Sequence, residues 1–232
     1  MALDRISRRI GGVPRSPREV AQAMLLVASL RQEGWLRSTR HGARGPAGEQ
    51  IPWLTYAAIH WLDRVLRSHH RAFEFGSGGS TIWLARRVQS VVSVEHDSKW
   101  AGIVRGRLSA NATLHVAEAW GDGTEAPEGD PYTGVLRDTD ERLDLVLVDG
   151  VARNASARLA VDRLAESGLI LLDDADRPAY RPAHEHLRRH GFGRLDFYGP
   201  KPGAGYLSTT SVFSRRFDAW LHDLEPPPPS GY

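Results

Sequence analysis

The chain has no cysteine, which removes disulfides, thiolate metal ligands and a cysteine nucleophile together. Lysine is almost as scarce: Lys99 and Lys201 are the only two, and arginine carries the rest of the basic charge. That bias reads as GC-rich coding rather than as a surface selected for phosphate. No apolar run approaches the ~20 residues that span a bilayer, so no membrane partner is expected. Arg8-Arg9 is followed by Pro14, Arg15, Pro17, Arg18 and Glu19 before any apolar stretch begins, which speaks against a twin-arginine export signal. The chain reads as cytoplasmic. Its net charge of +2 is too small to call for nucleic acid, and none is expected as a partner. Arginine is nevertheless uneven: residues 1–44 hold nine Arg against Asp4, Glu19 and Glu33, the pattern of a solvated arm and helix face.

What is present is 232 residues of ordinary globular composition, enough for one α/β domain with an N-terminal addition. Residues 1–66 read as a basic arm followed by a helical extension. One helix is expected over 17–34, capped by Ser16, with Val20, Met24, Val27 and Leu30 on one face. A second is expected over 53–66, with Trp53, Ala57, Trp61 and Val65 spaced for burial. Dimerisation through these helices is an expectation of the same reading. Residues 67–225 then alternate strands (72–75, 91–94, 113–117, 143–148, 169–172) with helices (81–88, 98–109, 155–166, 179–190). Such alternation predicts a parallel sheet covered on both faces. Segments 195–198 and 209–215 are β-like with only a Gly/Pro loop between them, which predicts an antiparallel hairpin at the sheet edge. Residues 226–232 form a proline-rich tail. The expected fold is a doubly wound, Rossmann-like, mostly parallel seven-stranded sheet ending in that hairpin. Residues 37–50, 119–142 and 199–208 read as loops without a legible motif.

The most informative stretch is Phe73-Glu74-Phe75-Gly76-Ser77-Gly78-Gly79-Ser80-Thr81, followed by a second apolar strand ending on Glu95, nineteen positions after Gly76. Strand, glycine turn, helix, strand and terminal acid form the layout of a nucleotide-type cofactor site. Glycines let backbone N–H groups approach a ligand, and an acid at the second strand's tip accepts from ribose hydroxyls. A dinucleotide fingerprint wants a third glycine at position 81, where this chain has Thr81. Acid-x-Gly-x-Gly, here Glu74, Gly76 and Gly78, resembles motif I of the class I S-adenosylmethionine-dependent methyltransferases. Ser80 stands at their third glycine position and suits a helix N-cap. The resemblance covers about residues 72–216. It implies that Glu95 holds the ribose, that Gly76, Ser77 and Gly78 approach the methionine part, and that Glu118 or a neighbour lies near the adenine. Glu74, Ser80, Thr81, His96 and Asp149 complete the implied S-adenosyl-L-methionine pocket. The longer phrases Ser-Val-Glu-His-Asp, Val-Asp-Gly and Asp-Asp-Ala-Asp-Arg-Pro-x-Tyr resemble a largely uncharacterised bacterial branch. Pro52-Trp53-Leu54-Thr55-Tyr56 matches a segment that branch often carries upstream of motif I, which either closes over the cofactor or packs the extension onto the core.

Asp149 ends the fourth strand, and Asp173 and Asp174 end the fifth. Neighbouring strands would bring three carboxylates together, which repel unless a cation or protons neutralise them. The arrangement resembles metal-dependent O-methyltransferases, which implies magnesium or another divalent cation held by Asp149, Asp173 and Asp174. A metal-bound hydroxyl loses its proton near neutral pH, which suits methyl transfer to oxygen. Asp149 is therefore a catalytic candidate. Without a metal, a general base is needed, with His96 placed best and His184 and His186 behind it. Arg153 would orient an anionic group or pair with Asp149. The expected activity is methyl transfer to a hydroxyl of a small molecule or sugar. The alternatives are a non-catalytic cofactor-binding protein and a dinucleotide-dependent oxidoreductase. An amino-methylating Asp-Pro-Pro-aromatic loop is absent, since the position reads Asp149-Gly150-Val151-Ala152.

Overall fold

A computed structural model of the protein describes residues 16–38, 42–139, 142–221 and Leu224. The basic arm before Ser16 and the tail 226–232 lie outside these. Seven strands form one sheet: β1 Arg71–Phe75, β2 Ser90–Glu95, β3 Ala112–Val116, β4 Leu143–Val148, β5 Leu164–Leu172, β6 Gly193–Pro200 and β7 Leu207–Ser214. Their order is β3-β2-β1-β4-β5-β7-β6. The first five run parallel, and β7 is antiparallel to both β5 and β6. Strand order reverses between β1 and β4, which opens a crevice beyond their carboxyl ends. The expected fold class is borne out, edge hairpin included.

Eight α-helices surround the sheet among the described residues: α1 Pro17–Gln32, α2 Tyr56–Val65, α3 Gly79–Ala85, α4 Ser98–Arg105, α5 Pro131–Arg137, α6 Arg153–Arg163, α7 Arg181–Arg189 and α8 Asp218–Leu221. Central parallel strands are covered on both faces, so they read as continuous apolar runs. The two-residue period of β4 nevertheless sorts its side chains. Leu145 and Leu147 join a cluster with α2 and α3, while Val146 and Val148 join one with α5, α6 and α7.

The N-terminal extension differs from expectation on both helices. α1 has the predicted Ser16 cap, with Glu19 closing a reciprocal capping box, but it buries no residue. Met24 is 67% exposed, and Val20 and Val27 are exposed as well; of that face, Leu30 alone packs against the core cluster. On α2 the buried face is Tyr56, Ala58, Ile59, Leu62 and Val65. Trp53 and Ala57 point outward, and Trp61 is half-buried beside Phe197. The Pro52–Tyr56 segment packs the extension onto the core: Leu54, Thr55 and Tyr56 are buried. Thr55 N–H donates to Thr210 Oγ1 at 3.1 Å, and Thr55 Oγ1 donates to the Phe197 carbonyl at 3.0 Å. No helix among the described residues is long and apolar enough to cross a membrane.

Candidate functional site

The crevice between β1 and β4 holds a cavity of about 300 Å³, lined by Gly76, Ser77, Ser80, Glu95, His96, Asp149, Gly150 and Val151. It brings together most of the predicted cofactor residues. Gly76 sits at φ +87°, and a Cβ there would meet the Gly150 backbone at 3.0 Å. The strand-to-helix turn therefore packs directly on the turn after β4, and glycine is required on both sides. A Cβ on Gly150 would lie 2.0 Å from the Tyr132 hydroxyl. Gly79 is likewise fixed, since its Cβ would stand 2.6 Å from the Ile51 carbonyl of the extension. Gly79 and Gly150 are site residues that local pattern could not reveal, because the collisions come from distant segments. A Cβ on Gly78 would make only ordinary contact with Trp100.

Three backbone N–H groups of the turn are already engaged. Gly76 donates to the Val94 carbonyl, Ser77 to Glu95 Oε2 and Gly78 to Thr81 Oγ1, each at 2.9 Å. The helix begins at Gly79 with Gly78 as N-cap, so Ser80 lies inside it and is not the cap that its position suggests.

Glu95 is 5% exposed. Its Oε1 accepts from the backbone N–H of His96 and Asp97, both at 2.9 Å. Its Oε2 takes the Ser77 N–H and also the Ser77 hydroxyl at 3.2 Å. His96 Nδ1 lies 3.0 Å from Glu95 Oε1. The His96 side chain is 45% exposed. His184 is engaged elsewhere, with Nε2 at the Ala175 carbonyl, and His186 stacks on His190. Among the histidine candidates, only His96 lines the cavity.

Glu74 is fully buried beneath the turn. The Thr81 hydroxyl donates to its Oε2 at 2.5 Å and the Ser93 hydroxyl at 3.1 Å. Burial pushes its carboxyl up to about 7, against the pull of the Ser80, Thr81 and Ser93 hydroxyls. Thr81 thus fills the third-glycine position with a side chain that ties the acid to the turn. Glu118 is exposed and accepts only from the Trp120 indole at 3.4 Å. It is not among the cavity residues.

Asp149, Asp173 and Asp174 converge as predicted, but not around space for a cation. The Lys201 ammonium donates to Asp173 Oδ2, and to Asp174 Oδ1 at 3.0 Å. Thr210 and Ser208 hydroxyls donate to Asp173 Oδ1 and Asp174 Oδ1, each at 2.8 Å. Arg153 donates to Asp149 Oδ1 at 3.0 Å, and Arg177 pairs with Asp174 Oδ2 at 2.5 Å. Burial alone would lower the Lys201 ammonium, yet Asp173, Asp149 and Asp174 hold it raised. Asp174 is lowered by Lys201 despite its own burial. Burial and the neighbouring Asp173 push Asp149 up, while Arg153 and Lys201 pull it back down. The expected metal set therefore does not fit a divalent ion: Lys201 already stands between Asp173 and Asp174, and Asp149 Oδ1 is taken by Arg153. No group of three or more metal-ligating side chains occurs among the described residues. Lys201 is the site residue that sequence reading missed. Its one signal was being one of two lysines in an arginine-rich chain.

No family model and no curated protein matches the chain. Solved structures do match. The O-methyltransferase TomG from Streptomyces achromogenes, solved with S-adenosylmethionine, shares 17% identity at a TM-score of 0.53, over 82% of this chain and 88% of that one. A precorrin-6y C5,15-methyltransferase from Geobacter metallireducens shares 19% identity at 0.52, over 68% and 86%. This is the class I S-adenosylmethionine-dependent methyltransferase fold. A precorrin 8w decarboxylase from Methanobacterium thermoautotrophicum shares 18% identity at 0.50, over 75% and 95%. The methyltransferase fold thus positions a crevice without dictating the reaction.

Proposed function

We propose that this protein is an S-adenosylmethionine-dependent methyltransferase acting on a hydroxyl of a small molecule. The observation that carries the reading is the state of the glycine turn. The N–H groups of Gly76, Ser77 and Gly78 are engaged within the protein, while the Glu95 carboxylate stands beside the turn at the tip of β2. That environment suits a ligand with ribose hydroxyls and no phosphate, and disfavours a dinucleotide. The side-chain donor on Glu95 Oε2, Ser77 Oγ, can rotate away when ribose hydroxyls arrive. When bound, the cofactor supplies an electrophilic methyl group on a sulfonium. Glu95 then holds the ribose, and the Gly76 turn lets the backbone approach closely. His96 Nε2 accepts the proton of the acceptor hydroxyl, with Glu95 Oε1 3.0 Å from Nδ1 to favour the charged ring. The Arg153 pair withdraws Asp149 from that task.

Thermal unfolding with S-adenosylmethionine, S-adenosylhomocysteine and NAD at equal concentration tests the class. The first two should raise the melting temperature and NAD should not. A shift with NAD alone would put the protein among the oxidoreductases.

A further inference from the structure

We propose that the Lys201 ammonium is a built-in cation standing where a divalent metal was expected, and that the Asp149–Asp173–Asp174 cluster binds divalent cations only once that ammonium is removed. The cluster is balanced as it stands. Three carboxylates face Lys201, Arg153 and Arg177, with Arg153 Nη1 also 3.9 Å from Asp174 Oδ2. Lys201 is 4% exposed, Asp173 1% and Asp174 6%, so bulk water contributes little to the neutralisation. Buried carboxylates without partners are strongly unfavourable, and an uncompensated extra charge is equally so. A divalent ion entering this cluster would bring a second cation against the ammonium and displace four side-chain donors.

The chain fixes the ammonium in place from two directions. Lys201 follows β6 immediately, and the Ala204 N–H donates to its carbonyl at 3.2 Å, closing a turn. The N-terminal extension clamps the same loop: the Trp35 indole donates to the Ala204 carbonyl at 3.0 Å. A Cβ on Gly203 would stand 3.0 Å from Ser38, so the two segments are in close contact. Asp174 adopts φ +52°, a left-handed conformation unusual for a side-chain-bearing residue, which turns its carboxylate to Lys201, Ser208 and Arg177 together. The ammonium supplies fixed positive charge at the end of the crevice without exchange with solvent.

The inference deepens the proposed function at its acceptor end, but its test uses no cofactor. Manganese uptake would be titrated calorimetrically into the wild-type protein, Lys201→Ala, Lys201→Arg and the double variant Lys201→Ala/Asp173→Asn. The wild type and Lys201→Arg should take up no stoichiometric manganese. Lys201→Ala should bind about one ion per chain and gain thermal stability in millimolar manganese, and the double variant should lose that site. Should Lys201→Ala fail to fold alone, manganese should restore its circular dichroism; failure to do so at millimolar ion counts against the proposal. Stoichiometric binding by the wild type that Asp173→Asn removes would overturn it, as would a folded Lys201→Ala that takes up none. A failure of the functional reading would show separately, as absent binding of S-adenosylhomocysteine.

Discussion

Glu74 lies buried beneath the glycine turn, and that burial raises its carboxyl to about 7. A folded-state carboxyl above its unfolded value binds a proton that the unfolded chain releases. Its stabilisation is complete below the unfolded value and disappears as pH rises through the folded one. His70 works in the opposite sense: burial lowers it to about 4, so its contribution is present above 6.5 and is lost as pH falls toward 4. The difference between wild type and Glu74→Gln isolates the first effect. Measured by urea denaturation, the wild-type advantage should shrink by about 3 kcal/mol between pH 4.5 and 7.5. Parallel curves across that range would mean that Glu74 is not held protonated by the fold. At the same scale, glutamate in an apolar strand two residues before Gly76 was legible as a motif. That its proton is part of the stability was not, because burial of the turn depends on Gly150 and Thr81 together.

Among the elements, strands β1 to β4 were legible within a residue or two, because central strands show as bounded apolar runs, whereas β5 begins at Leu164, five residues before the expected 169. Pro131–Arg137 was missed within a stretch read as loop. Its start signal is Asp130-Pro131, with Asp130 Oδ1 accepting from the Thr133 N–H at 2.8 Å. The helix has only seven residues, too few for a periodic pattern to stand out. The face of α2 was misplaced by one position because Trp53 and Trp61 drew the pattern, while packing is decided by β6 and the sheet. The link between the extension and the carboxylate cluster was not legible at all, since it joins Thr55, Thr210 and Asp173 across the chain. Thr210→Val should leave the Thr55 N–H and Asp173 Oδ1 both unpaired in the interior. The expected loss is about 3 kcal/mol in urea denaturation, and Thr210→Ser should recover most of it. A Thr210→Val protein as stable as the wild type would show that the hydroxyl's two bonds do not stabilise the fold.

At the scale of the molecule, one sheet with a reversal between β1 and β4 gathers Glu95, the glycine turn and Asp149 at a single edge. The extension closes over the same edge, at Gly79 through Ile51 and at the Lys201 loop through Trp35. Fold class and cofactor crevice were therefore readable from strand order and motif spacing. The charge balance of the acidic cluster was not, because its cation arrives from the β6–β7 loop, more than two dozen residues beyond Asp174. The central claim is that Glu95 holds the ribose of an S-adenosyl ligand beside the glycine turn. Calorimetric titration of S-adenosylhomocysteine into wild type and Glu95→Ala tests it most directly, with circular dichroism confirming that both are folded. A charge-assisted hydrogen bond contributes about 1.5–3 kcal/mol, so the variant should bind at least about tenfold more weakly. Wild-type affinity in a folded Glu95→Ala protein, or no binding by the wild type itself, would contradict the account.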